Sequence, residues 1–289
     1  MASIGPLLVI VGETASGKSS LAMELAEKCN GEIIAADSTT VYKEFDIGTA
    51  KPSDSDRRHI PHHLLDVVEA SQKFDAAQFK QLANQAISEI HARGNVPIMV
   101  GGSGLYIDSV LFDYSFAPAG DPSLRAHLEA MTTAQLIEEA QSKEVDLSGV
   151  DTRNKRRLIR AIETQGHTPQ RKPLRKNTTV LGLQISKEEL TRNISQRVKT
   201  MFREGLVGEV AHLKERYGWD IEPMKGIGYR EFKPYFMGVQ SLEQAKTEII
   251  KDTLKFAKKQ RTWFKRNKSI HWVSNKSEAV AYTTTILNK

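Results

Sequence analysis

Residues 12–19, Gly-Glu-Thr-Ala-Ser-Gly-Lys-Ser, match the G-x-x-x-x-G-K-[ST] phosphate-binding loop, which works only between a strand and a helix. Both neighbours are present in pattern: an apolar run at 7–11 precedes the loop and a helical pattern at 19–28 follows it. Glycines let the backbone wrap closely around a diphosphate, so that consecutive N–H groups and a helix N-terminus face the anion, and Lys18 adds a full positive charge. Gly12, Thr14, Ala15, Ser16, Gly17, Lys18 and Ser19 are therefore the candidate diphosphate-binding residues, with Ser19 placed to hold Mg²⁺. Nucleoside triphosphates, nucleotides and isoprenoid diphosphates share this chemistry, and the loop does not choose among them.

The first hundred residues alternate strand and helix signals. A second short apolar run at 32–36 ends at Asp37, and Asp75-Ala-Ala-Gln78 reads as a capping box opening an amphipathic helix that stops near Arg93 at Gly94. A third strand is expected at 96–100. Parallel strands with crossover helices put their ligand loops at the strand carboxyl ends, where Asp37 and the Gly101-Gly102-Ser103-Gly104 segment fall beside the phosphate loop. The fold class is α/β, a P-loop NTPase-like core with a parallel sheet plus a small helical insertion domain. Helices at 122–143 and 154–165 and a Pro/Lys/Arg-rich linker at 166–177 place that insertion at 118–177, within a core of 1–117 and 178–289. The core resumes with a strand at 179–185, helices at 187–203, 207–217 and 242–266, a strand at 270–273 and a closing helix.

Composition narrows the setting. One cysteine, Cys29, excludes an internal disulfide framework and any multi-cysteine zinc site. No apolar stretch reaches the roughly 18 to 20 residues needed to span a bilayer, so a cytoplasmic protein without membrane association is expected. The adjacent His62 and His63 suit packing and loop hydrogen bonds better than a metal site, since consecutive side chains rarely chelate one ion. A net charge of +6 suits an anionic partner, and the charge is concentrated. Arg156, Arg157 and Arg160 share one helix at spacings of three and four. Lys251, Lys255, Lys258 and Lys265 form a second stripe, with Gln260, Arg261, Trp263 and Phe264 nearby to supply stacking surfaces. Together they favour a polyanion such as RNA.

Asp37 suits a base, a metal partner or a turn aspartate. Ser103 offers a hydroxyl in a second close-approach glycine loop. The strand before it ends without the acid expected of a nucleotide-hydrolysing enzyme, which weakens an ATPase reading.

The order of residues 12–19, Asp37-Ser38, Asp46-Ile-Gly-Thr-Ala-Lys-Pro52, His63-Leu-Leu-Asp66, Gly101-Gly-Ser-Gly-Leu-Tyr106, Arg157-Leu-Ile-Arg-Ala-Ile-Glu163, Gly226-Ile-Gly-Tyr-Arg-Glu231 and Lys259-Gln-Arg-Thr-Trp-Phe264 closely resembles the tRNA dimethylallyltransferase family, in its bacterial form without a C-terminal zinc finger. The resemblance implies transfer of a dimethylallyl group from dimethylallyl diphosphate to the exocyclic amine of the adenine 3′ of the anticodon in tRNA, with Mg²⁺; a monomer is expected. It implies that Asp37 is the general base, and that Lys18, Ser103 and Arg125 stabilise the reacting diphosphate. It implies tRNA contacts from Asp37, Ser38, Thr39, Thr40, Ser103 and Arg125, from Arg156, Arg157, Leu158, Ile159 and Arg160, and from Lys225, Gly226, Ile227, Gly228, Tyr229 and Arg230. Ser103 stands where threonine is usual and Thr40 where glutamine is frequent. The competing readings are a P-loop small-molecule kinase using ATP, an adenylate dimethylallyltransferase acting on a free nucleotide, and a non-catalytic RNA-binding protein, which would leave the phosphate loop and Asp37 unexplained.

Overall fold

Leu7–Gly12 (β1) is buried at every residue, as a central strand of a parallel sheet covered on both faces must be. The computed structural model describes residues 5–117, 120–167 and 170–287. After β1 come α1 (Lys18–Cys29), β2 (Gly31–Ala36), α2 (Asp54–His59), β3 (His62–His63), α3 (Ala76–Ala92), β4 (Val96–Gly101) and α4 (Gly104–Leu111). Then follow α5 (Pro122–Ala130), α6 (Thr133–Ser142), α7 (Lys155–Glu163), β5 (Thr178–Leu183), α8 (Lys187–Arg203), α9 (Leu206–Tyr217), α10 (Lys233–Phe236), α11 (Leu242–Phe264), β6 (Ile270–Val273) and α12 (Lys276–Leu287). The six strands pair in parallel in the order β3-β2-β4-β1-β5-β6. Among the described residues no helix is long and apolar enough to cross a membrane.

Local chemistry sets most boundaries. Asp75 caps α3 by accepting from the Ala77 and Gln78 amides, and Gln78 reaches back to the Asp75 N–H. Gly94 follows at φ 77°, the left-handed conformation a helix exit favours. The expected single helix over 122–143 is two helices. Met131 leaves α5 with extended dihedrals, and Thr132 with Gln135 forms a fresh capping box that starts α6. Residues 62–63, expected as loop, form the short edge strand β3. There His62 Nδ1 lies 2.7 Å from the Ile60 carbonyl and His63 Nε2 lies 2.6 Å from the Glu32 carboxylate.

The chain divides into two compact units, 1–111 with 174–289, and Phe112–Pro173. The first holds the sheet, with Leu8, Ile10, Leu21, Leu25, Ile33, Ile98, Leu181 and Val273 in one buried cluster. A second cluster joins Val41, Tyr42 and Phe45 to Val198, Leu206, Val210, Met224, Tyr229 and Phe232. The Phe112–Pro173 unit packs α5, α6 and α7 around Leu128, Leu136, Leu158, Ile159 and Ile162, and the Lys172 amide donates to the Phe112 carbonyl at its base. Pro118, the expected start of the insertion, lies outside the described residues.

Glu32 on β2 is nearly inaccessible, its side chain 4 % exposed, yet charged. Its carboxylate accepts two bonds from Arg93 and one from Asn95, all 2.8 Å, and faces His63. Those donors hold its pKa down, from 4.5 to about 2, against the cost of burial. Glu32→Gln should cost about 2 kcal/mol at neutral pH. Because the folded pKa is depressed, Glu32 contributes fully above about pH 4.5 and its contribution fades as pH falls toward about 2. Denaturant titrations of both proteins across that range check this; a difference that does not shrink with acid would contradict it.

Candidate active site

The phosphate loop is shaped by backbone that few residues tolerate. Gly12 has φ 151°, Ala15 61° and Gly17 95°. A Cβ on Gly12 would come 2.7 Å from the Leu183 carbonyl, so glycine is needed there for space as well as dihedral. Lys18 opens α1 and is 9 % exposed, with its Nζ donating to the Glu13 carbonyl at 2.5 Å. Burial lowers its pKa to about 8; Arg197 pushes the same way, and Asp37 and Glu13 oppose it. Ser16 Oγ is buried with no hydrogen-bond partner among the described residues, an orphaned polar atom inside an anion cradle.

At the end of β2, Asp37 Oδ1 accepts from the Thr39 amide at 2.9 Å and from Thr39 Oγ1 at 2.7 Å, closing a tight Asx-type turn. Ser103 ties that turn to the end of β4. Its N–H donates to the Ala36 carbonyl at 3.2 Å and its Oγ accepts from the Ser38 amide at 3.0 Å. A Cβ on Gly101 would meet the Ala36 carbonyl at 2.0 Å, which explains a glycine at this crossing. Asp37 interacts electrostatically with both Lys18 and Arg197, whose own pKa burial lowers.

A cleft of about 1200 Å³ opens beside the loop, lined by Gly17, Lys18 and Ser19, by residues between Lys43 and Asp66, and by Asn193, Arg197 and Met201 of α8. Asn193 Nδ2 donates to the Ala15 carbonyl at 3.2 Å. The facing wall is fixed by charge. Glu209 accepts the amides of Asp46, Ile47 and Gly48 at 3.1, 2.7 and 3.0 Å, and the Tyr229 hydroxyl at 2.8 Å. Lys51, its side chain 2 % exposed, bridges Asp46 and Asp66. A Cβ on Gly48 would sit 2.5 Å from the Tyr229 ring, so the two motifs at 46–52 and 226–231 fold against each other.

The structure thus brings together the loop residues from Gly12 to Ser19, Asp37, Ser38, Thr39 and Ser103, with Gly226 alongside, where a Cβ would lie 3.9 Å from the Thr39 methyl. Lys225 and Arg230 are exposed next to it, Arg230 pairing with Glu231 and Asp252. Several expected RNA contacts are corrected by burial. Thr40 is 7 % exposed and Tyr229 1 %, and Gly228 is buried with its amide on Glu231. Leu158 and Ile159 are core residues of the Phe112–Pro173 unit, because in a helix the positions between exposed arginines turn inward. Arg156 and Arg157 are exposed on α7, while Arg160 reaches the Ala117 carbonyl. Arg125, in the same unit, pairs with Glu129 and with Glu163, whose side chain is fully buried.

The expected stacking surface on α11 is likewise corrected. Gln260 and Phe264 are buried, Arg261 pairs with Glu13, and the Trp263 indole N–H donates to Asp108 at 2.9 Å. Lys251 and Lys255 pair with Glu248 and Asp252 along the helix. Arg197 was not anticipated. Its only sequence signal is spacing: Asn193 and Arg197 are four apart, on a different stripe from the buried Leu190, Ile194 and Val198.

Residues 40–267 match the family model described as IPP transferase. The chain is 41 % identical to the tRNA dimethylallyltransferase of Pelotomaculum thermopropionicum, over 93 % of this chain and 90 % of that one. It is 40 % identical to the one of Bacillus licheniformis, over 92 % and 90 %. The fold is similar to that of the tRNA isopentenylpyrophosphate transferase of Bacillus halodurans, with TM-score 0.76, 32 % identity, and 98 % and 97 % of the two chains covered. It is also similar to a eukaryotic dimethylallyltransferase solved acting on tRNA, with TM-score 0.81, 26 % identity, and 93 % of this chain and 74 % of that one covered. A phosphate loop after β1 and an aspartate turn after β2, two strand ends on the same edge of the sheet, are joined by matches spanning nearly the whole chain, and this protein is a member of the IPP transferase family.

Proposed function

We propose that this chain transfers a dimethylallyl group from dimethylallyl diphosphate to the exocyclic amine of the adenine 3′ of the anticodon in tRNA, releasing diphosphate. The observation that carries the reading is that β1, β4 and β2 end at one level, so that the phosphate loop with Lys18, the Ser103 loop and the Asp37 turn meet at one sheet edge, with the Ser38 amide donating to Ser103 Oγ. A cationic cradle suited to a departing diphosphate and a carboxylate thus come from ends of the same sheet. Family membership and the relatives named as acting on tRNA support the substrate pair. A kinase would use the same loop, but β4 ends in Met99-Val100-Gly101 without the acid that holds the metal in nucleotide-hydrolysing enzymes.

An adenine amine is a weak nucleophile because its lone pair is shared with the ring. As its nitrogen bonds to the allylic carbon, the carbon–oxygen bond to the diphosphate breaks and the electron pair leaves with that oxygen. The amine proton passes to Asp37, whose Oδ1 already accepts from the Thr39 amide and hydroxyl and so holds the carboxylate in a fixed turn. Lys18, the loop amides and Arg197 stabilise the charge that grows on the diphosphate. The glycine cradle with its orphaned Ser16 Oγ fits a phosphate group, and the Ser19 hydroxyl lining the cleft would hold Mg²⁺. Such an ion would supply further charge neutralisation there. Ser38 and Thr39 are the base contacts of this proposal, and exposed Arg156, Arg157 and Lys225 its tRNA-backbone contacts.

Two measurements test the assignment. Asp37→Asn should lower kcat by roughly 10²- to 10⁴-fold while the KM for dimethylallyl diphosphate stays within about twofold. Near-normal turnover would remove Asp37 from the mechanism. With wild type, kcat/KM for the diphosphate should fall as pH rises through about 8, because Lys18 then loses the proton that gives it charge. Lys18→Arg, which stays charged, should lack that alkaline limb even if slower overall. The same limb in both proteins would assign the titration elsewhere.

A further inference from the structure

The segment Lys259-Gln-Arg-Thr-Trp-Phe264 ends α11, and Gln260 and Arg261 turn toward the phosphate loop while Lys259 and Thr262 are exposed. Gln260 is 5 % exposed and uses both ends of its amide. Its Oε1 accepts from the Thr14 amide of the phosphate loop at 2.8 Å, and its Nε2 donates to the Gly102 carbonyl at 3.1 Å. A Cβ on Gly102 would come 2.0 Å from that Nε2, with no other group closer than the rest of the same side chain. The glycine is therefore explained by Gln260. Ser103, the next residue, carries the hydrogen bond to the Ser38 amide in the Asp37 turn. A continuous path runs from the loop that holds the phosphates, through one buried amide, to the turn that holds the carboxylate.

We propose that Gln260 is a positioning residue that sets the spacing between the phosphate loop and the Asp37 turn, and so the alignment of donor carbon with acceptor amine. The role needs a group that accepts at one end and donates at the other, over the reach of glutamine. A glutamate would put an oxygen against the Gly102 carbonyl, and an asparagine falls one methylene short. Arg261, paired with Glu13 at 2.7 Å, and Trp263, held by Asp108 and lying against Gly104, anchor the helix end on either side. A misplacement of about 1 Å can cost on the order of 10²-fold in an aligned transfer, so such a brace matters to rate while touching neither reactant.

The inference rests on the prenyl-transfer reading, and its test separates the two. Gln260→Met keeps the volume and loses both hydrogen bonds. Its kcat should fall about ten- to a hundredfold, with the KM for dimethylallyl diphosphate and the Kd for tRNA little changed. Amide hydrogen exchange should rise in residues 12–17 and 101–104, a readout that needs no assumption about the reaction. A loss seen only in tRNA affinity, or unchanged exchange in both loops, would overturn the proposal. As a guard against simple unfolding, Gly102→Ala should slow wild type but cost little in a Gln260→Ala background, where the obstructing amide is gone. Penalties that multiply would show that the two positions do not act as one unit. Wild-type protein that transfers no prenyl group to tRNA would defeat the functional reading, while the exchange and coupling results would still decide the brace.

Discussion

Parallel pairing of β2, β4 and β1 is the constraint on which the site depends. In that register Ala36 lies beside Gly101 and Gly101 beside Val11, so three consecutive strands finish at one level on one edge. Everything chemical follows from those three ends: the phosphate loop after β1, the Asp37 turn after β2 and the Ser103 loop after β4. Glycine at 101 is demanded by the Ala36 carbonyl itself, so the close approach of β2 and β4 is a steric requirement before it is a catalytic one.

Charge then divides the labour. Lys18 is buried enough to lose basicity yet remains cationic near neutral pH because Asp37 and Glu13 offset part of that cost. Around it, other charged side chains hold backbone in place. Glu209 gathers three successive amides of the 46–48 segment, and Lys51 links Asp46 to Asp66. The cleft wall is thus built from carboxylates satisfied by backbone and lysine, while Lys18 and Arg197 add positive charge to the same cleft.

How much of this could be read from the chain depended on the range of the interaction. The phosphate loop, the Asp75 cap and the strand ends at Asp37 and Gly101 are local patterns, and each appears in the structure where its spacing predicts. The break at Met131 was equally local, since Thr132 and Gln135 form a capping box, but the apolar periodicity runs across it and hides the stop. Burial within a motif is harder to see. Leu158 and Ile159 follow the exposed Arg156 and Arg157, and Tyr229 precedes the exposed Arg230, and only the packing partner of each shows that its side chain faces inward. Gln260 bonds the phosphate loop and Arg197 lines the cleft beside it, each from more than a hundred residues away, and neither carries a local signature. Contacts of that kind are made by topology, and a helix read alone shows only a basic or polar stripe.

The most direct test of the account is transfer of labelled dimethylallyl from its diphosphate, with Mg²⁺, to unmodified tRNA, alongside free AMP as acceptor and labelled ATP as donor. The account predicts label in the anticodon loop of tRNA, at the adenine 3′ of the anticodon, and none in AMP. Label in AMP alone, or phosphate transfer from ATP without prenyl transfer, would contradict it.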